Sequence, residues 1–182
     1  MLFESTGLPE VMLITPRAFH DERGLFFEAW HEEAFRRAGI DARFVQDNHS
    51  HSIRHVLRGL HYQIRQTQGK LVRVAHGRAY DVAVDMRRTS PTFGKWAGAE
   101  LSDANLKMLW IPPGFAHGYL ALSERVAILY KCTNFYARDD ERTVRYDDPD
   151  IGIEWPLSVG VSPLLSQKDA CAPGLSAAEC FT

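Results

Sequence analysis

In RAYDVAVDM, residues Arg78–Met86, side chains alternate in kind: Tyr80, Val82, Val84 and Met86 fall on one face, with Ala79, Asp81, Ala83 and Asp85 on the other. A period of two marks a β-strand, because successive side chains leave a pleated backbone on opposite sides. Short runs of the same kind recur at Val11–Ile14, Leu25–Trp30, Phe44–Asn48, Val56–Gln63, Leu71–Ala75, Lys95–Leu101, Met108–Ile111, Gly118–Leu122 and Val126–Phe135. Turn signals such as His76-Gly77, Ser90-Pro91 and Pro112-Pro113-Gly114 separate them. Many short strands at this spacing predict an all-β sandwich, jelly roll or barrel.

One helix interrupts the pattern. In WHEEAFRRAGI (Trp30–Ile40), Ala34, Phe35 and Ala38 form a modest apolar side, and Gly39 stands where a left-handed C-cap would. From Trp155 onward the chain reads as an irregular tail that wraps the domain, with a short helical possibility after Gly174. No repeat, linker or low-complexity segment breaks the chain before about residue 155, so residues 1–182 are expected to form a single domain.

The bulk numbers narrow the function classes. With 182 residues the chain is long enough to bury roughly 70% of its unfolded surface. Twenty-one basic and 23 acidic residues give a net charge of -2, which argues against a broad basic face for nucleic acid and leaves room for a local site for a small anion. No apolar stretch approaches the roughly eighteen residues of a membrane span, and no leader-like start is present, so neither a membrane nor export is expected. The three cysteines, Cys132, Cys171 and Cys180, have no C-x-x-C spacing and cannot close a disulfide set, which points to a reducing cytoplasm.

GLHYQIRQTQGK (Gly59–Lys70) and PPGFAHGYLAL (Pro112–Leu122) invite comparison with the cupins, whose jelly roll commonly holds a metal through histidines and a carboxylate. Only His61 and His117 match that ligand pattern. Gln63 stands two residues after His61, and Gln66, Gln68 and Lys70 occupy the region where a carboxylate is needed. Two imidazoles beside an ammonium make a poor cation site, so no metal is expected. In HSHSIRH (His49–His55), His49 and His51 would share a strand face without a further ligand and read as a polar rim; His20, His31 and His76 read as solvated surface residues.

A lone histidine on a β-strand is by default a hydrogen-bonded structural residue. Other polar residues in the chain open a second possibility. A histidine oriented by a carboxylate can remove a proton near neutral pH, a tyrosine can return one, and a lysine can stabilise an enolate oxygen. Tyr130 on a predicted strand, Lys70, and Asp169 in the tail are of the required types, but sequence separation does not show that they meet.

VLRGLHYQ (Val56–Gln63), QGKLVRV (Gln68–Val74), DVAVDMRRTSPTFGKW (Asp81–Trp96), LWIPPGFAHGYLALS (Leu109–Ser123), YKCTNFY (Tyr130–Tyr136) and GIEWPL (Gly152–Leu157), in that order, resemble the dTDP-4-dehydrorhamnose 3,5-epimerase family. The resemblance runs from about Leu13 to Pro173. It implies a metal-free, cupin-like jelly-roll β-sandwich that works as a homodimer without a cofactor and inverts C3 and C5 of dTDP-4-dehydro-6-deoxy-D-glucose in dTDP-L-rhamnose biosynthesis. Both carbons flank the C4 ketone, so one enolate chemistry serves both.

The resemblance also implies roles. His61 matches the general base, Asp169 its carboxylate partner, Tyr130 the acid on the opposite face, and Lys70 the cation beside the C4 oxyanion. Gln46, Asn48, Arg58 and His117 match substrate contacts, and Tyr136 an aromatic packed on thymine. Arg23, Phe26 and Glu28 in DERGLFFE (Asp21–Glu28) match a segment that reaches the nucleotide of the partner subunit. Plain structural roles stay open beside these: Tyr130 as a core tyrosine, Asp169 as a helix cap, Phe26 as a strand core residue and Arg23 as a turn arginine. The chain departs from the family pattern at Tyr146 and Asp147, where many relatives carry a tryptophan-asparagine pair. A monofunctional 3- or 5-epimerase of another deoxysugar, or a silent sugar-nucleotide binding protein, are the alternatives.

Overall fold

Thirteen strands and two short helices make up the computed structural model, which describes residues 1–182. In chain order they are β1 (Leu2–Ser5), β2 (Met12–Thr15), β3 (Ala18–Asp21), β4 (Gly24–Phe27), α1 (Glu32–Arg37), β5 (Gln46–Ile53), β6 (Leu57–Gln63), β7 (Lys70–His76), β8 (Arg78–Asp85), β9 (Trp96–Ser102), β10 (Met108–Ile111), β11 (Phe115–Ala121), β12 (Arg125–Cys132), β13 (Glu141–Thr143) and α2 (Gln167–Ala170). Two antiparallel sheets form the layers, one in the order β1-β2-β10-β7-β12-β5 and the other β13-β6-β11-β8-β9. The β3–β4 hairpin stands apart as its own two-stranded sheet. The molecule is the expected cupin-like β-sandwich. No helix is long and apolar enough to cross a membrane.

The alternation in β8 explains how the layers stack. Ala79 and Ala83 face the other sheet in a cluster with Val72, Val74, Leu109, Ile111, Val126 and Ile128. Val82, Val84 and Met86 point the opposite way, and there the tail covers them with Leu175, Ala178 and Cys180. Both faces of β8 are therefore buried. The tail lies on the outer face of the five-stranded sheet, with its one 3-10 turn at Leu175–Ala177 and its end bridged to Arg87 by Phe181.

Helix α1 is shorter than its sequence pattern. His31 caps it, its Nδ1 accepting the Ala34 N–H at 3.3 Å. Gly39, at φ +87°, takes the left-handed conformation that ends it. Phe35 anchors the helix through an edge-on contact with Phe3, ring centroids 5.2 Å apart. Strands β1, β3 and β13 carry no clear period of two and went unmarked in the sequence. Strand β5 extends through His49 and His51, which lie exposed on the sheet edge with ring centroids 4.6 Å apart.

Candidate functional site

A cavity of about 250 Å³ opens between the ends of the two sheets. From the six-stranded sheet come Gln46 and Asn48 on β5, Lys70 at the start of β7 and Tyr130 on β12; from the five-stranded sheet come His61 and Gln63 on β6 and Glu141 on β13. Gln68 and Tyr136 add to the wall from connecting segments.

An irregularity in β6 sets which side chains reach the interior. His61 pairs with His117 of β11, while Arg58 pairs with Tyr119, so three steps on β6 oppose two on β11. In a regular strand, residues three apart point to opposite faces; this bulge turns both Arg58 and His61 toward the other sheet. Arg58 donates from Nε to Ser52 Oγ on β5 at 3.1 Å and from Nη2 to the His51 carbonyl at 3.2 Å. The bulge needs two glycines. Gly59 has φ +129°, and a Cβ there would sit 2.6 Å from the Gly118 Cα.

His61 meets the tail. Its Nε2 lies 2.5 Å from Asp169 Oδ1, and Asp169 is buried while the His61 side chain keeps 27% of its exposure. Asp169 reaches this position from α2, where the Ser166 Oγ cap accepts its backbone N–H at 3.1 Å. A pairing between β6 and the tail holds the segment before α2, as Leu57 donates to the Leu164 carbonyl and Leu164 to that of His55. Burial pushes the His61 imidazole below its ordinary range, against the pull of Asp169 in the other direction. For Asp169, burial works to raise the carboxyl, but His61, Ser166 and Lys168 together overrule it and the carboxyl stays below its usual range.

Lys70 is buried, and the nearest acceptor of its Nζ is the His61 carbonyl at 3.5 Å. Burial lowers its ammonium below the ordinary lysine range. Tyr130, across the cavity, is pushed up to about 12 by burial, so its phenol keeps its proton through neutral pH. His117 is 7% exposed and is not part of the cavity wall; its Nε2 lies 3.0 and 3.1 Å from the two oxygens of Asp81, and its ring centroid is 6.4 Å from that of Tyr130.

The glutamines at the cupin ligand positions have another use. Gln63 donates to the Phe135 carbonyl at 3.1 Å and accepts the Ala137 N–H at 2.8 Å, Gln68 donates to the Asn134 carbonyl at 2.8 Å, and Gln46 accepts the Tyr136 N–H at 2.9 Å. Together they fix the segment that presents Tyr136. The donor set does not fit a metal, since no three His, Cys, Asp or Glu side chains converge and a lysine is part of the cavity wall.

Glu141 is the cavity residue with no sequence signal. Glu141 sits in the three-residue edge strand β13 and pairs with Lys168 Nζ at 2.8 Å, while accepting the Tyr136 hydroxyl at 3.2 Å. Arg23, Phe26 and Glu28 lie away from the cavity on or just after the β3–β4 hairpin. Arg23 is paired with Asp21 at 2.6 Å, Phe26 is 71% exposed, and Glu28 is exposed.

Comparison with known proteins supplies relatives for this arrangement. A family described as dTDP-4-dehydrorhamnose 3,5-epimerase matches residues 5–177. A protein of that name from Pseudomonas aeruginosa is 54% identical over 176 residues, covering 96% of both chains. One from Salmonella typhimurium is 51% identical over 180 residues, covering 98% of this chain and 97% of the other. The crystal structure of a dTDP-6-deoxy-D-glucose-3,5-epimerase from Legionella pneumophila in complex with dTDP-4-keto-L-rhamnose superposes with a TM-score of 0.93 at 47% identity, covering 97% of this chain and 93% of that one. With matches that run nearly end to end, the chain belongs to the dTDP-4-dehydrorhamnose 3,5-epimerase family.

Proposed function

We propose that the protein is an isomerase that inverts C3 and C5 of dTDP-4-dehydro-6-deoxy-D-glucose, acting in dTDP-L-rhamnose biosynthesis. The observation that carries this is the hydrogen bond between His61 and Asp169 at the edge of a cavity that also holds Lys70 and Tyr130. A proton on carbon next to a ketone is acidic enough for an enzyme base only if the enolate oxygen is stabilised as it forms. His61, neutral at physiological pH and oriented by Asp169, takes that proton. Lys70 offers a cation to the developing C4 oxyanion. Tyr130, which retains its proton, returns one to the opposite face and so inverts the centre. No step needs a cofactor.

Gln46, Asn48, Arg58 and His117 serve the sugar and phosphates, directly or by supporting the wall, and Tyr136 packs on thymine. The chain works as one domain and as a homodimer in the cytoplasm. Its projecting hairpin supports the dimer: Phe19, Leu25 and Phe26 are exposed together, and with Arg23 and Glu28 they are free to reach the nucleotide end of a partner's cavity.

The test is incubation with the 4-keto sugar nucleotide in deuterated water, followed by NMR. Label at both C3 and C5 of an L-configured product supports double inversion. Label at one carbon alone assigns the protein to the monoepimerases, and no label at either would overturn the proposal.

A further inference from the structure

Asp81 is a buried carboxylate with no place in the proton transfers above. It lies on the interior face of β8, is 0% exposed, and has a single side-chain partner, His117 Nε2, which spans both its oxygens. A carboxylate has about four acceptor sites, and burying it with one donor leaves its charge poorly compensated. Lys70 has the opposite deficit. Its ammonium is buried, forms no ion pair with any carboxylate, and reaches only a carbonyl at 3.5 Å. Such an ammonium loses its proton readily unless a negative charge faces it.

The titratable groups whose charge acts on Lys70 come from five elements: Cys132 on β12, Asp81 on β8, Glu141 on β13, Lys168 on α2 and His61 on β6. Lys168 repels it. The Cys132 thiol is pushed up by burial and is uncharged at neutral pH. Glu141 is engaged by Lys168 at 2.8 Å, and the charge of Asp169 is engaged by His61. Asp81 is the one of these carboxylates with no lysine or arginine partner, and the His117 that it holds is the cross-strand neighbour of His61, whose carbonyl Lys70 contacts.

We propose that Asp81 is a positioning residue for the reaction, fixing the His117 ring and supplying the counter-charge that keeps Lys70 an ammonium. This rests on the function assigned to Lys70 above, because only a protonated lysine stabilises an enolate oxygen. It gives the interior Ala79-Asp81-Ala83 face of β8 a purpose: the small alanines leave room, and the aspartate places charge behind the site.

The experiment is an NMR titration of the Lys70 side-chain carbon and nitrogen resonances, assigned with Lys70→Arg, in wild type and Asp81→Asn. The asparagine keeps a partner for His117 and removes the charge. The Lys70 midpoint is expected to fall by about one pH unit or more, and the alkaline limb of kcat to move down with it. A midpoint within about 0.3 unit of wild type overturns the proposal. Should Asp81→Asn not fold, the double variant Glu141→Gln/Lys168→Gln decides: a Lys70 midpoint near that of wild type supports Asp81, and a fall of about a unit makes Glu141 the counter-charge instead. The resonances report on Lys70 without substrate, so a protein that does not epimerise still gives a clear answer on Asp81.

Discussion

His61 Nε2 and Asp169 Oδ1 lie 2.5 Å apart although 108 residues separate them in the chain. The contact joins a strand of the five-stranded sheet to a one-turn helix in the tail. Asp169 raises the affinity of the imidazole for protons, against the larger effect of burial. Asp169→Asn is therefore expected to lower the His61 pKa further and to leave the ring less firmly oriented. The acid limb of kcat/KM should move to lower pH while the plateau falls, by about 10²- to 10⁴-fold if base catalysis depends on this pair. A pH-rate profile checks it; an acid limb that moves to higher pH would mean that Asp169 does not act on His61.

Much of the sandwich was legible because its central strands alternate. What the alternation of Arg78–Met86 did not show is that both faces are interior. The Ala79 and Ala83 face meets the opposite sheet, and the tail seals the valine face. Short edge strands such as β13 are ordered by their neighbours and leave no period to read. The types of the candidate catalytic residues could be read from the chain; that Asp169 partners His61 came only through the family resemblance, and that a bulge turns Arg58 to the same side left no sign in the sequence. Glu141 and Asp81 were silent because their importance lies in partners brought by the fold.

Tyr130 separates the two halves of the proposed reaction. Its phenol, held at about 12, is a proton donor at working pH and contributes no alkaline limb below about pH 10. In Tyr130→Phe, His61 and Lys70 remain, so exchange of substrate protons with solvent should persist while inverted product falls by about 10²-fold or more. Deuterium incorporation and product formation, followed in the same sample, give the two rates. Equal slowing of both would remove Tyr130 from the role of acid.

Gly59 is a position where backbone meets backbone. Its φ of +129° is a conformation that a side chain rarely tolerates, and an added Cβ would meet the Gly118 Cα at 2.6 Å and the His117 carbonyl at 2.8 Å. Neither atom belongs to a flexible side chain. Gly59→Ala is expected to cost about 2–4 kcal/mol and to lower Tm by roughly 5–15 °C. Gly160→Ala is the control, with φ +80° but nothing within 4 Å, and should cost about 1 kcal/mol. Similar losses in the two variants would show that strain alone, and not the closeness of β6 and β11, accounts for Gly59.

Asp85 closes the far end of β8 and sets a limit on acid stability. Its buried carboxylate accepts from Arg87 N–H and Nε at 2.9 Å, from Arg87 Nη2 at 2.8 Å, from Ser90 at 2.5 Å and from Thr92 at 2.7 Å. Arg87 continues to Glu10 at 2.7 and 2.9 Å, tying this turn to the segment before β2. Burial alone would raise the carboxyl, but these donors overrule it and hold it at about 2, against 3.8 for an ordinary aspartate. A carboxyl lowered on folding stabilises the native state above the unfolded value, and that contribution disappears as pH falls through the folded one. The shift corresponds to about 2 kcal/mol, present at pH 7 and lost between about pH 4 and pH 2. Urea unfolding of wild type and Asp85→Asn across this range gives the comparison. Their stabilities should differ clearly at pH 7 and converge toward pH 2, whereas a gap that stays constant with pH would mean that the carboxylate's charge is not what holds this turn.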